Sequence, residues 1–480
     1  MSDSSRKTPF YLTTTLPYVN APLHLGHALE FVRADIIARY KKLTGFEVFF
    51  NTGTDEHGLK IYKKALEENK NQQDYVDEYA LKFKNFAKKL GMTEDLNFIR
   101  TTDPHHVKAV EEFWRICFRN GDIYKKNYKI KYCVGCELEK TDSELVDGKC
   151  PEHPNLEIEI IEEENYFFRF SKFQKRLLDF YEEKSDFVIP DFRFNEIKRF
   201  VERGLADFSI SRLKSKMPWG VEVPGDSEQV MYVWFDALVN YISAIGWPLD
   251  LEKFNKWWPV TQYCGKDNIR QQSAMWQAML MSAGISQSKQ VIINGFILGE
   301  GGVKMSKSLG NVVDPLKIIE EYGTDVLRFY LARHVHPFED SEFTMEKFKT
   351  AYNADLANGL GNLVSRVMKL SETYQVETIH FEYKTEPHVK KAFDDFNIKD
   401  VMDFIWQKIQ YSDRKINEEK PFSVIKTDVV MGKATIQNLV QKLREIAIML
   451  QPIMPETSEK IITAIKENKT PEKPLFPRKD

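Results

Sequence analysis

The order of apolar patterns along the chain restricts its fold more than any other feature. A buried-strand pattern at Phe10 to Leu16 passes through a loop punctuated by Pro and Asn into a helical pattern from Leu25 to Leu43, and a second strand pattern covers Glu47 to Thr52. Runs from Gln72 to Leu90 and from Pro104 to Arg119 repeat apolar residues at three- and four-residue spacing, the helical signature. Strands alternating with helices build a parallel sheet with helices on its faces. The alternation stops near Phe118, gives way to sequence rich in Lys, Glu and aromatics, and resumes near Val230, so an insertion splits the sheet. After the strand pattern VIINGFI at Val291 to Ile297 come Gly299, Gly301 and Gly302 in a loop expected to be mobile. Beyond Asp314 strand signals nearly vanish, and helical patterns run from Pro315 to Lys466, broken at prolines and at the polar stretch Thr385 to His388.

A chain of 480 residues exceeds what one hydrophobic core supports. The expected division is the first half of an α/β sheet domain at residues 1–117, an insertion at 118–228, the second half of the sheet at 229–310, a linking region at 311–350 and an all-α bundle at 351–480. With 42% hydrophobic and 29% charged residues the chain is neither disordered nor fibrous. It lacks the run of about 20 apolar residues that spans a bilayer, and MSDSSRKTPF has no apolar signal core. A cytoplasmic protein without membrane contact is expected. Formal charge is only -3, so a nucleic-acid partner would be held by local patches rather than a global field.

Three clusters carry chemistry. His24-Leu25-Gly26-His27 sits where a loop enters a helix, and N–H groups at a helix start favour anions such as phosphate. Gly26 removes the Cβ that would keep a flat base off the backbone. Alone, the tetrapeptide is equally two surface histidines. Lys304-Met305-Ser306-Lys307-Ser308 follows on the glycine-flanked loop, where two lysines can meet a polyphosphate as its charge builds, or simply be solvated. Cys133, Cys136, Cys150 and His153 follow the spacing C-x2-C-x13-C-x2-H, two tight knuckles of the kind tetrahedral zinc requires. Four protein ligands leave no open position, so the zinc is expected to be structural. Cys117 and Cys264 read as small buried residues.

HLGH and KMSKS flanking a split α/β sheet resemble the class I aminoacyl-tRNA synthetases, with a Rossmann-like sheet and a helical-bundle domain. TTLPYVNAPLHLGH at Thr14 to His27, NTGTDEHG at Asn51 to Gly58, YVWFDALVNYISAIGW at Tyr232 to Trp247 and YCGKDN at Tyr263 to Asn268 narrow the resemblance to the methionyl-tRNA synthetase family, in its single-knuckle form. It covers nearly the whole chain. The resemblance implies a methionine pocket from Thr15, Leu16, Tyr18, Asp55, Trp234, Ala237, Tyr241, Asn268 and Gln272, with Asp55 on the substrate ammonium. Aromatic and apolar surface suits a thioether, although aromatics at these spacings could also be plain core, and Asp55 a helix N-cap. For ATP it implies His24, Gly26, His27, Glu30, Gly265, Asp267, Asn294, Lys304 and Lys307, the two histidines and two lysines acting catalytically, with Mg2+ carried by the phosphates. Asn362 and Arg366, four apart on one helical face, are implied at the tRNA anticodon. From Ala351 to Asp480 there are 20 Lys and Arg against 19 Asp and Glu, so such contacts would rest on specific groups.

Departures from the family pattern are Asn268 and Gln272, where an apolar residue and a histidine are common, and Asn294-Gly295 where His-Gly is common. The activity implied is ATP-dependent formation of methionyl-adenylate and transfer of the methionyl group to the 3′ end of tRNA(Met). A leucyl-, isoleucyl- or valyl-type enzyme would need a larger editing insertion. A silent tRNA-binding relative would not need intact HLGH and KMSKS, and a small nucleotidylyltransferase would not need the helical third. A monomer is expected.

Overall fold

The computed structural model describes residues 7–136, 138–140, 142–303, 305, 312–376 and 385–479. Two compact units emerge. The first contains Met1–Leu23, Phe46–Phe86 and Glu94–Ile293, and the second His24–Gly45, Ala87–Thr93 and Asn294–Asp480.

The first unit holds a six-stranded sheet in the order Asn97–Arg100, Glu47–Thr54, Pro9–Thr13, Thr261–Gly265, Gln290–Asn294, Val188–Ile189. The pairs of Pro9–Thr13 with its two neighbours are parallel, as sequence alternation requires of a sheet linked by helical crossovers. Pro9–Thr13 stops three residues short of the expected Leu16, because the chain then leaves the sheet for a loop containing Pro17, which has no N–H to donate to a ladder. The strand expected from Val291 to Ile297 is likewise shorter, ending at Asn294. Gly295 then passes so close to Glu339 that a Cβ there would lie 2.2 Å from its carbonyl, and Ile297–Leu298 joins Ser341–Glu342 instead. The latter is a short strand in the region expected to be helical.

The inserted stretch forms a four-stranded antiparallel sheet, Leu138–Lys140, Ile123–Cys133, Glu159–Phe168 and Phe208–Ser209. Its Ile123 end enters the core of the unit, where Phe113 stacks on Trp276 at 5.7 Å and meets Phe235 edge-on at 5.8 Å. Cys117 and Cys264 are both buried in this core.

The second unit is mainly helical. Its helix Leu25–Leu43 is buried along most of its length, including Asp35, which has no exposed surface. Two guanidiniums compensate that charge: Arg328 NH2 at 2.7 Å and Arg39 Nε at 2.7 Å. Arg328 is equally buried and also donates to the carbonyls of Ile453 at 2.8 Å and Leu90 at 3.1 Å. The long helices Ile398–Glu419 and Val429–Leu450 begin at Asn397 and Asp428, whose side chains accept from backbone N–H groups in the first turn. Among the described residues no helix is long and apolar enough to cross a membrane.

Removing Arg328 leaves the buried Asp35 carboxylate with the single guanidinium of Arg39 and takes the donors from the Ile453 and Leu90 carbonyls, which together costs about 3–5 kcal/mol. Arg328→Met is expected to lower the stability of the second unit by that amount in urea unfolding, whereas Arg115→Met, on an exposed ion pair, should stay within about 1 kcal/mol.

Candidate active site and metal cluster

The loop after the first strand is held by the loop after the second. Val19 N–H donates to Asp55 carbonyl at 3.2 Å and Asp55 N–H to Pro17 carbonyl at 3.1 Å, which places Tyr18 and Asp55 side by side. Asp55 is buried and does not cap a helix: the helix Leu59–Glu67 begins after Gly58. Gly58 has φ of +117°, and a Cβ on it would lie 2.3 Å from the Tyr18 hydroxyl, so only glycine lets the ring approach here.

Tyr18 and Trp234 both pack on a small cluster of Tyr132, Tyr232 and Val233. Trp234 and Ala237 lie on the helix Val233–Leu238, and Tyr241 on the helical turn Asn240–Ser243. Tyr241 is buried, its carbonyl accepting from Tyr11 Oη at 2.8 Å, and Asn240 Nδ2 donates to the Ala237 carbonyl at 2.6 Å. The structure thus brings Tyr18, Asp55 and Trp234 into one neighbourhood. Thr15 and Leu16 are half-buried in the same loop. Gly265 ends the Thr261–Gly265 strand and Asp267 and Asn268 come just after it, half-buried to exposed, while Gln272 is buried on a π-helical turn and accepts from Gln262 Nε2 at 2.8 Å. Such turns bulge a helix locally and often mark functional positions.

Beneath these residues lies a network that sequence reasoning missed. Asp236, without exposed surface, accepts from His57 Nδ1 at 2.6 Å and from His106 Nε2 at 3.0 Å, and His106 Nδ1 lies 2.8 Å from Ser243 Oγ. Burial alone would raise the Asp236 carboxyl, but the charge and hydrogen bonds of His57 and His106 outweigh it and hold the group down at about 2. An ionised carboxylate only accepts, so both histidines donate to it. His57 and Asp236 belong to the two most specific sequence segments, so the signal was present there; His106 carries none.

The insertion brings its four ligands together. One atom each from Cys133, Cys136, Cys150 and His153 all lie within 4.8 Å of one another, with Cys136 Sγ 3.4 Å from Cys150 Sγ and 3.2 Å from His153 Nδ1. Tetrahedral Zn–S bonds of about 2.3 Å put sulfurs about 3.8 Å apart, so this donor set fits such an ion. Burial, then the neighbouring Cys150 and Cys133, push the Cys136 thiol up, as expected where several thiolates need a cation between them. A Cβ on Gly135 would lie 2.4 Å from the His153 ring.

In the second unit, His24 and His27 cap the helix Leu25–Leu43 reciprocally: Gly26 N–H donates to His24 Nδ1 at 3.1 Å and His24 N–H to His27 Nδ1 at 3.3 Å. The rings lie 4.1 Å apart, and burial plus the His24 neighbour keep His27 well below its ordinary value, so it is a neutral hydrogen-bonding group near pH 7. Glu30 is buried one turn on. Asn294 is buried and accepts from Arg33 NH1 at 3.1 Å, and Arg33 also donates to the carbonyls of Val335, His336 and Pro337. Arg33 is a second group that sequence reasoning missed. Lys304 and Lys307 lie outside the described residues. Asn362 is exposed at the start of the helix Asn362–Tyr374, and Arg366 pairs with Asp413 and donates to Asn417 Oδ1 at 2.7 Å.

A family model described as tRNA synthetases class I (M) matches residues 10–159 and 154–368. Methionine--tRNA ligase of Thermotoga maritima is 41% identical over 97% of this chain and 76% of its own length. That of Thermosynechococcus vestitus is 40% identical over 94% and 89%. The structure titled Mycobacterium tuberculosis methionyl-tRNA synthetase in complex with methionyl-adenylate matches with a TM-score of 0.90 and 34% identity, covering 98% of this chain and 100% of that one. A parallel sheet interrupted by a Cys/His-bearing insertion and followed by a helical region is thus that of a class I tRNA synthetase. Within that class the chain belongs to the methionine--tRNA ligases.

Two outcomes follow from this geometry. Gly58→Ala should displace Tyr18 and raise KM for methionine at least tenfold while leaving KM for ATP within about twofold. Asp236 has a folded value of about 2 against an ordinary 3.8, so its contribution of about 2 kcal/mol is complete above pH 4 and lost as pH falls through 2. Urea unfolding between pH 4 and pH 2 should show this loss, and Asp236→Asn should flatten it.

Proposed function

We infer that the protein activates L-methionine with ATP and passes the methionyl group to the 3′-terminal ribose of tRNA(Met). The observation that carries this reading is the shared neighbourhood of Tyr18, Asp55 and Trp234, in a chain of this family. Tyr18 and Trp234 offer ring surface to the thioether, with Leu16, Ala237 and Tyr241 as apolar neighbours, and Asp55 takes the ammonium. Thr15, Asn268 and Gln272 complete the pocket, which Asn268 in place of an apolar residue and Gln272 in place of a histidine make more polar.

The methionine carboxylate attacks the α-phosphorus of ATP and pyrophosphate leaves; a ribose hydroxyl of the tRNA then attacks the carbonyl carbon of the adenylate and AMP leaves. No side chain has to act as nucleophile, so the residues supply orientation and preorganised charge. His24 and His27 hydrogen-bond the phosphates, with Gly26 leaving room for the base. Glu30, Gly265 and Asp267 are assigned to the ribose, and Lys304 and Lys307 to the pyrophosphate. Asn294, its oxygen committed to Arg33, has an amide nitrogen to offer the nucleotide. Mg2+ enters with ATP as its phosphate counter-ion.

Cys133, Cys136, Cys150 and His153 would hold a zinc ion, which when bound supplies a structural crosslink. Their strand matters to the pocket because Tyr132 and Val134 flank the ligand Cys133 and pack with Tyr232, Val233, Trp234 and Tyr18. Asn362 and Arg366 are assigned to the anticodon loop, Arg366 exchanging part of its pairing with Asp413 for the RNA. A cytoplasmic location and a monomer fit this reading.

Amino-acid-dependent ATP–pyrophosphate exchange tests it: methionine should support exchange, and leucine, isoleucine, valine and cysteine should not. Lys307→Ala should cut the activation rate about 100-fold or more with methionine KM little changed. Exchange with another amino acid alone, or a fully active Lys307→Ala, would overturn the reading. Cys150→Ala should lose the zinc and raise methionine KM about tenfold, read by metal analysis alongside kinetics.

A further inference from the structure

Asp236 and His57 lie in the segments that most sharply mark this chain, yet neither has been given a role by the chemistry above. We propose that His57, Asp236 and His106 are positioning residues for the substrate's ammonium group, their buried bridge fixing the backbone of the Asp55-Glu56-His57-Gly58 segment so that the Asp55 carboxylate is aimed. This rests on the reading of methionine as substrate and Asp55 as its ammonium partner.

The segment is clamped at both of the residues that follow Asp55. Glu56 has no exposed surface and its carboxylate accepts from Arg100 Nε at 2.7 Å and Arg100 NH2 at 2.9 Å. Its N–H donates to Thr101 Oγ1 at 2.9 Å, and its carbonyl accepts from Trp219 Nε1 at 2.6 Å. The next residue, His57, donates to Asp236 at 2.6 Å. Asp236 stands between Trp234 and Ala237 on the helix Val233–Leu238, so the same hydrogen bond ties the ammonium-binding segment to the helix bearing the side-chain pocket. His106, from the helix Pro104–Arg119, completes the carboxylate at 3.0 Å and is itself seated against Ser243 at 2.8 Å. Three chain segments far apart in sequence therefore meet at one buried charge. An Asp55 carboxylate displaced by about 1 Å would no longer meet an ammonium at charge-assisted hydrogen-bond distance.

The test uses Asp236→Asn, which keeps the shape of the side chain, and the pair His57→Leu and His57→Gln, of which only the second retains a donor. Each is compared with wild type in methionine-dependent ATP–pyrophosphate exchange and in inhibition by two analogues. L-methioninol keeps the ammonium, whereas 4-(methylthio)butanoate lacks it. Asp236→Asn and His57→Leu should raise methionine KM 10- to 100-fold with ATP KM within twofold. They should weaken L-methioninol in parallel and leave 4-(methylthio)butanoate within twofold. His57→Gln should recover most of the loss, which also covers the case of an Asp236→Asn protein that does not fold. Equal weakening of both analogues, or His57→Gln as impaired as His57→Leu, would overturn the proposal while leaving the methionine reading intact. Wild-type protein that fails to bind L-methioninol would overturn both.

Discussion

A carboxylate with no access to water has to be compensated where it stands, and Asp236 is compensated by two imidazoles that come from different parts of the chain. That requirement dictates much of the surrounding structure. The loop carrying His57 must reach the helix Val233–Leu238, and the helix Pro104–Arg119 must present His106 to the same point. Tyr18 then follows, because the loop before it is hydrogen-bonded to the backbone of Asp55 and its ring lies against Gly58. On the proposed reading, recognition of a small zwitterion depends on a charge the substrate never touches.

The same rule governs the second unit at Asp35, compensated by Arg328 and Arg39 rather than by histidines. The chemistry differs in consequence. A guanidinium stays charged across the physiological range and serves as a fixed brace, while an imidazole offers a directed single donor on each face of the carboxylate. The Cys133, Cys136, Cys150 and His153 cluster adds a third kind of constraint. Tyr132 and Val134 on either side of Cys133 link it to the aromatic cluster that packs with Trp234 and Tyr18.

Much of this was legible in the sequence, and for definable reasons. The helices Leu25–Leu43 and Pro104–Arg119 were readable to the residue because Pro104 sets one start and the pairs Thr44-Gly45 and Asn120-Gly121 set both ends. The metal cluster was readable because local spacing alone nearly closes a tetrahedron. Strand ends were not: Pro9–Thr13 and Gln290–Asn294 stop where Pro17 and Gly295 redirect the chain, a tertiary effect that apolar runs such as Phe10 to Leu16 do not encode. The residues assigned to the pocket came from a resemblance to a known family, which did not point to the buried network around Asp236. Asp236 lies in a segment that carries the resemblance, which does not name its partners, and His106 reads as a histidine on a helix; only the fold reveals that they share a hydrogen bond. Arg33 was hidden for the same reason, since a buried arginine and an exposed one look alike in sequence.

The central claim is that Asp55, braced from behind, receives the ammonium of methionine while Tyr18 and Trp234 receive its sulfur. A crystal structure of the protein with bound L-methionine tests this most directly. The ammonium nitrogen should lie about 3 Å from an Asp55 carboxylate oxygen and the thioether against the two rings, with the His57–Asp236–His106 bridge unbroken. An ammonium bound elsewhere, with Asp55 turned away from the ligand, would contradict it.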